Sequence, residues 1–163
     1  MAGGVDETKL CRLLDRAVNN NIDIVALTEI WAKTNIDKEV NAILTRLDKG
    51  WTFYGNHRKN QNRRAKKGSG GVSILVRNGL GLVEIKIAKC NGVLQMVVWE
   101  HVNVFALYLV PRDSARWTHN DKIWKELDRV LPGLVDQEVI ILADGNAHGR
   151  AALGVWYDPE PTR

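Results

Sequence analysis

The feature that most limits the fold is a run of four short strand-like segments between residues 72 and 109. Each segment is rich in β-branched or aromatic residues, as strands are. Asn78-Gly79 and Asn91-Gly92 separate three of them, and both dipeptides are typical of type I′ hairpin turns. The predicted strands are 72–77, 82–88, 94–100 and 102–109. Consecutive strands joined by short turns predict a mostly antiparallel sheet.

The rest of the chain alternates between helical and strand patterns. Apolar residues at helical spacing predict helices near 7–20, 36–47 and 120–131. A short strand is predicted at 51–54, and the nearly all-apolar runs 22–27 and 138–143 are predicted as buried strands.

This order of elements predicts an α/β fold with α+β character. The expected form is a partial two-layer α/β sandwich, in which a mixed, mostly antiparallel sheet carries helices on one face. We find no linker or repeat, so residues 1–163 are predicted to form a single domain. One sheet alone would leave its inner face, with Val98, Phe105 and Ile141, open to water. A second copy covering that face would make a homodimer.

The positive charge of the chain is concentrated in one segment. The chain holds 23 Lys and Arg against 19 Asp and Glu, a net charge of +4. Residues 57–67 contain no acid and six of the basic residues, which are Arg58, Lys59, Arg63, Arg64, Lys66 and Lys67. Such a cluster predicts a polyanionic partner such as nucleic acid, with DNA the expected one. The alternative is a solvated loop without a partner.

Other features of the sequence indicate an intracellular location, nuclear or cytoplasmic. Cys11 and Cys90 are too few for a disulfide scaffold. The N-terminus lacks the pattern of a signal peptide. No apolar run approaches the roughly 18 residues that span a bilayer, so a membrane partner is not expected.

Polar side chains lie at or just beyond the ends of three predicted strands. Glu29 comes shortly after the run 22–27, Tyr108 ends the strand near 102–109, and Asp144 and Asn146 follow the run 138–143. Ligands bind at the carboxyl ends of strands in open α/β sheets, and oxygen donors suit Mg²⁺ or Mn²⁺. A single acid in such a place is also commonly a turn former or a helix cap.

Four segments that carry these residues resemble motifs of the endonuclease/exonuclease/phosphatase superfamily. They occur in the family's order over roughly residues 10–150, and they read IDIVALTEIW, GSGGVSILVRNGL, VNVFALYLVPRDS and VIILADGNAH. With its basic stretch, the chain looks most like the apurinic-type endonuclease domain of non-LTR retrotransposons. The family's N-terminal strand and its C-terminal part have no counterpart in the chain.

The resemblance implies Mg²⁺- or Mn²⁺-dependent hydrolysis of phosphodiester bonds in nucleic acid. By resemblance, Glu29 would bind the metal and Asp144 would activate the attacking water. Asn146 and Tyr108 would hold the phosphate, and the basic stretch would bind the nucleic-acid backbone. Two other functions remain open. One is a non-catalytic remnant that binds nucleic acid or dimerises, and the other is a phosphatase of the same superfamily.

Overall fold

The computed structural model describes residues 6–28, 36–56, 71–87, 93–98, 101–110 and 118–145. Every helix and strand predicted from the sequence is present, with bounds that differ by at most two residues. None of the described helices is long and apolar enough to cross a membrane. The elements in chain order are α1 (Glu7–Asn19), β1 (Ile24–Thr28), α2 (Ile36–Arg46), β2 (Trp51–Asn56), β3 (Val72–Arg77), β4 (Leu82–Ile87), β5 (Val93–Val98), β6 (Val102–Tyr108), α3 (His119–Val130), a 3-10 helix (Leu131–Leu134) and β7 (Glu138–Asp144).

The seven described strands form two sheets. The first sheet has the order β1-β3-β2, and both of its strand pairs are antiparallel. The second has the order β4-β5-β6-β7, in which only the β6–β7 pair is parallel. The predicted class, an α/β fold with mixed and mostly antiparallel strands, is therefore confirmed.

The two sheets pack face to face, with helices outside. Alternate residues of β3 and β6 meet between the sheets, among them Val72, Ile74, Val104 and Ala106. Leu75 points the other way, where α1 and α2 cover the first sheet. Helix α3 covers the second sheet through Ile123 and Leu127. Each sheet thus has helices on one face and the other sheet on its second face, which makes four layers.

The expectation of one sheet with an open inner face is wrong. The strands predicted for one sheet divide between two, and each covers the inner face of the other. Phe105, expected on the open face, is 1% exposed and packs beneath α3. The open face that suggested a homodimer is therefore closed within a single chain.

The turn at Asn78-Gly79 also differs from the sequence prediction. Only Gly79 has a positive φ, of 87°, and the Leu80 N–H donates to the Arg77 carbonyl oxygen at 3.3 Å. A type II turn needs positive φ only at its second central residue, whereas type I′ needs it at both. The turn does not close a hairpin, because β3 and β4 belong to different sheets. It carries the chain from one sheet to the other.

The two apolar runs form edge strands, although the sequence predicts buried ones. Among the described strands, β1 pairs only with β3, and β7 pairs only with β6. Every residue of β1 is half-buried. In β7, Val139, Ile140 and Ile141 are 38%, 44% and 48% exposed. An apolar run shows that a strand is compatible with burial, but strand order decides whether neighbours cover it.

Candidate active site

The candidate site lies at one end of the sandwich, where the edge strands of the two sheets meet. In the first sheet, Thr28 and Asn56 are both register partners of Val72, so the three residues form a row. In the second sheet, Tyr108 is the register partner of Asp144. The ends of β1, β2, β6 and β7 are thus brought to the same end of the fold.

A side-chain hydrogen bond connects the two sheets at this end. Thr28 Oγ1 donates to Asp144 Oδ2 at 3.1 Å, and both groups are partly buried. A hydroxyl that donates to a carboxylate oxygen fixes the rotation of the carboxylate without neutralising its charge. The Thr28 hydroxyl therefore helps to orient the Asp144 carboxylate at the end of β7.

A second hydrogen bond joins the sheets on the other side of the same end. Asn56 Nδ2 donates to the Val93 carbonyl oxygen at 2.6 Å. Val93 is the register partner of Leu107, the residue before Tyr108. Asn56 is buried, and a hydrogen bond is electrostatically stronger in the interior of a protein than in water. The two hydrogen bonds therefore connect the sheets where the candidate residues lie.

Tyr108 contributes from inside the sandwich. It is 8% exposed and belongs to the apolar cluster between the sheets. Because it is in register with Asp144, the two side chains project from neighbouring strands on the same face. The Leu109 N–H donates to the Asp144 carbonyl oxygen at 3.0 Å, which continues the strand pairing one step past Tyr108. The backbone of Asp144 is thereby tied to the end of β6.

The structure brings together Tyr108 and Asp144, two of the predicted site residues. Glu29 and Asn146 lie outside the described residues, although they follow Thr28 and Gly145 in the chain. The predicted nucleic-acid-binding residues also lie outside them; these are Arg58, Lys59, Arg63, Arg64, Lys66 and Lys67.

Sequence reasoning missed Thr28 and Asn56. Each is a polar residue at the end of a strand, and that position was the available signal. The same position at a strand end predicted Tyr108 and Asp144 as site residues. Near the end of β1, the motif resemblance predicted Glu29 and not Thr28. The partners of Thr28 and Asn56 are on strands of the other sheet, so no local pattern identifies them.

Asp144 contributes a carboxylate at this end of the sandwich, and this group accepts the Thr28 hydroxyl. No group of three or more His, Cys, Asp or Glu side chains that could hold a metal occurs within the described ranges. Carboxylate oxygen is the ligand that Mg²⁺ prefers, and Mg²⁺ needs only one or two carboxylates when phosphate and water complete its shell. Within the described residues, no cluster at this end would therefore hold a cation by itself.

A separate cavity of about 290 Å³ opens at the opposite end of the sandwich. It is lined in part by Tyr54, Arg77 and Leu82. Since β3 runs from Val72 at the candidate site to Arg77 at the cavity, the strand's length separates them. The Arg77 guanidinium is engaged with Asp23 at 3.3 Å. This cavity is not part of the candidate active site.

Comparison with known proteins identifies the fold. The chain is similar to the structure of an AP endonuclease from Archaeoglobus fulgidus, with a TM-score of 0.59 and 15% identity over 88% of this chain. It is also similar to the human Nocturnin catalytic domain with bound sulfate anion, with a TM-score of 0.52 and 17% identity over 87% of this chain. The matches cover 54% and 58% of those two chains, so this chain spans little more than half their length.

These similarities show that the chain shares the fold of both solved proteins. No protein-family model matches the sequence. No curated protein matches it either.

Proposed function

We propose that this chain hydrolyses phosphodiester bonds of nucleic acid with Mg²⁺ or Mn²⁺, as an endonuclease domain of the retroelement type. The Thr28–Asp144 hydrogen bond carries the proposal, because it holds a carboxylate where strand ends from both sheets meet. Tyr108 lies in register beside it. The fold shared with a solved AP endonuclease supports the same class of reaction.

The metal would be held at this end of the sandwich by the carboxylate of Glu29, which follows Thr28 in the chain. Mg²⁺ needs only one or two protein carboxylates when phosphate and water complete its coordination shell. Bound there, a divalent cation supplies Lewis-acid stabilisation of the charge that develops on the phosphate oxygens.

The chain's own residues would share the remaining chemistry. Asp144, oriented by Thr28, takes the proton from the water that attacks phosphorus. The Asn146 amide donates to the phosphate oxygens as their charge increases. The Tyr108 phenol, almost enclosed between the sheets, limits where the phosphate can lie. Nocturnin's catalytic domain, a neighbour in fold, holds a tetrahedral anion of the same shape as phosphate.

The basic segment would bind the nucleic-acid backbone next to this site. The chain leaves the first sheet at Asn56 and returns at Val72, and these two residues are register partners in the same row as Thr28. Six Lys and Arg residues lie in the sequence between them. Phosphate contacts of this kind position a nucleic acid without reading its sequence.

The retroelement type depends on the resemblance of the segment VIILADGNAH and of the basic stretch before Gly70-Gly71. Sequencing of the flanking genomic region tests it. A reverse-transcriptase reading frame downstream supports the assignment, and a flanking gene set without one contradicts it.

Nicking of supercoiled plasmid DNA with and without Mg²⁺ tests the enzymatic proposal. We expect Mg²⁺-dependent nicking, and we expect Asp144→Ala to slow it by roughly 100-fold or more, because a general base contributes about that much. Asp136→Ala is the matched control, since Asp136 is an exposed acid just before β7. Equal nicking by wild type and Asp144→Ala, or nicking that needs no divalent cation, contradicts the proposal.

A second candidate function is nucleic-acid binding without cleavage, favoured by the charge of the basic segment. It predicts binding to duplex DNA that weakens steeply between about 50 and 200 mM salt. Arg63→Glu with Arg64→Glu should abolish binding, whereas Lys122→Glu with Lys125→Glu, on exposed positions of α3, should not. Salt-sensitive binding with no nicking selects this function over the enzyme.

A further inference from the structure

A buried amide connects α3 to the end of β6, two residues beyond Tyr108. Asn120 is 2% exposed and lies in the first turn of α3. The Val110 N–H donates to Asn120 Oδ1 at 2.8 Å, and Asn120 Nδ2 donates to the Val110 carbonyl oxygen at 2.9 Å. One side chain thus satisfies both backbone groups of a single residue.

This pair of bonds fixes Val110 more firmly than one bond would. Two bonds from a planar amide define both the position and the rotation of the peptide groups of Val110. Val110 is only 9% exposed, so loss of these two hydrogen bonds from its backbone would be costly. The end of β6 is therefore held at a set distance from the start of α3.

The same backbone leads directly to the candidate site. Leu109, which precedes Val110, donates its N–H to the Asp144 carbonyl oxygen at 3.0 Å. Asp144 in turn accepts the hydroxyl of Thr28 at 3.1 Å. A continuous series of hydrogen bonds and peptide links therefore runs from Asn120 in α3 to Asp144 at the meeting point of the two sheets.

We propose that Asn120 is a positioning residue that holds Tyr108 and Asp144 in their working geometry by fixing the backbone of Val110. This inference rests on the proposed function and extends it to a residue that no sequence motif contains. Asn120 touches no reacting atom; it acts through the end of β6. A small displacement of catalytic groups is enough to lower a rate, so its removal affects turnover more than substrate binding.

The chain offers a matched control on the same strand. Asn103 is as deeply buried as Asn120, and its side-chain amide donates to Gln137 Oε1 at 2.6 Å. It lies near the start of β6, at the end remote from Tyr108. Asn103→Ala therefore removes a comparable buried amide without altering the end of the strand.

Amide hydrogen exchange by NMR, combined with nicking kinetics, tests the inference. Asn120→Ala should speed exchange at Val110 and also at Leu109, and it should lower kcat roughly 10-fold or more with KM little changed. Asn103→Ala should change neither exchange at Leu109 nor kcat. If Asn120→Ala does not fold, Asn120→Asp replaces it; this variant keeps the acceptor for the Val110 N–H and loses the donor.

The outcomes separate the inference from the proposed function. Unchanged exchange at Leu109, or an equal loss of kcat in Asn103→Ala, overturns the positioning role. If the wild type does not nick DNA, the proposed function fails, and exchange at Leu109 still decides whether Asn120 controls the backbone beside Asp144. In that case, faster exchange of the Leu109 amide in the Asn120 variant supports the conclusion that Asn120 fixes the backbone at the end of β6.

Discussion

Replacing Thr28 by valine removes the hydroxyl that orients Asp144 and leaves the shape of the side chain nearly unchanged. A hydrogen bond to a charged group contributes about 1.5 to 3 kcal/mol in general. The 3.1 Å distance is long for such a bond, and both groups are only partly buried, so water replaces some of the lost interaction. We therefore expect the free energy of unfolding to fall by about 1 kcal/mol.

The effect on catalysis should exceed the effect on stability. Without the Thr28 hydroxyl, the Asp144 carboxylate is oriented less firmly toward the attacking water, and a misplacement of catalytic groups lowers rates by roughly 10- to 100-fold. The assay is plasmid nicking with Mg²⁺ at several DNA concentrations, which separates kcat from KM. We expect kcat to fall in Thr28→Val while KM stays close to the wild-type value, and we expect Thr28→Ser to restore most of the rate.

Urea unfolding of the single and double variants tests the bond independently of activity. Thr28→Val and Asp144→Ala should be non-additive by about 1 kcal/mol, because each removes the same interaction. Additivity within about 0.5 kcal/mol would refute the reasoning. A Thr28→Ser variant that nicks DNA as slowly as Thr28→Val would also refute it.

Two further predictions concern stability. Ala106 is fully buried between the two sheets, so Ala106→Leu should lower the free energy of unfolding by about 1 to 3 kcal/mol in urea titrations; a neutral result would indicate that the sheets do not face each other. Asp6 caps α1 by accepting the Lys9 N–H at 3.1 Å, and this bond lowers the pKa of the Asp6 carboxyl below its ordinary value. A lowered pKa stabilises the folded state above the unfolded-state pKa, and that contribution is lost as the pH falls through the folded-state pKa. Asp6→Ala should therefore melt at a lower temperature than wild type at pH 7, and the gap should close below about pH 4; a gap that persists at pH 2 contradicts this cause.

Local patterns were sufficient for the elements and for part of the site. The spacing of Leu10, Leu14 and Ala17 predicts α1, and these residues form its buried face. Polar residues at strand ends pointed to Tyr108 and Asp144, which the structure places in register. The same reasoning failed for Asn78-Gly79, because a dipeptide that favours a turn does not specify whether the flanking strands pair or separate into different sheets.

Burial of individual strands was the least predictable property. The runs 22–27 and 138–143 are among the most apolar in the chain, yet β1 and β7 are edge strands within the part of the chain described here. Phe105 was expected to face water and is buried beneath α3. Whether an apolar strand is covered depends on strand order and on layering, and neither is a property of the strand's own sequence.

The sequence by itself determined the α/β class, the bounds of the helices and strands, the single basic segment and the polar residues at strand ends. These features depend on interactions between residues that are close in the chain, and hydrophobic periodicity and turn residues indicate such interactions. Only the tertiary structure decided that the strands form two sheets and that Thr28 reaches Asp144 across 116 positions of sequence. It also decided that Asn56 and Asn120 anchor the surrounding backbone. Contacts between sheets form only when the apolar faces of distant strands exclude water together, so no local segment encodes them.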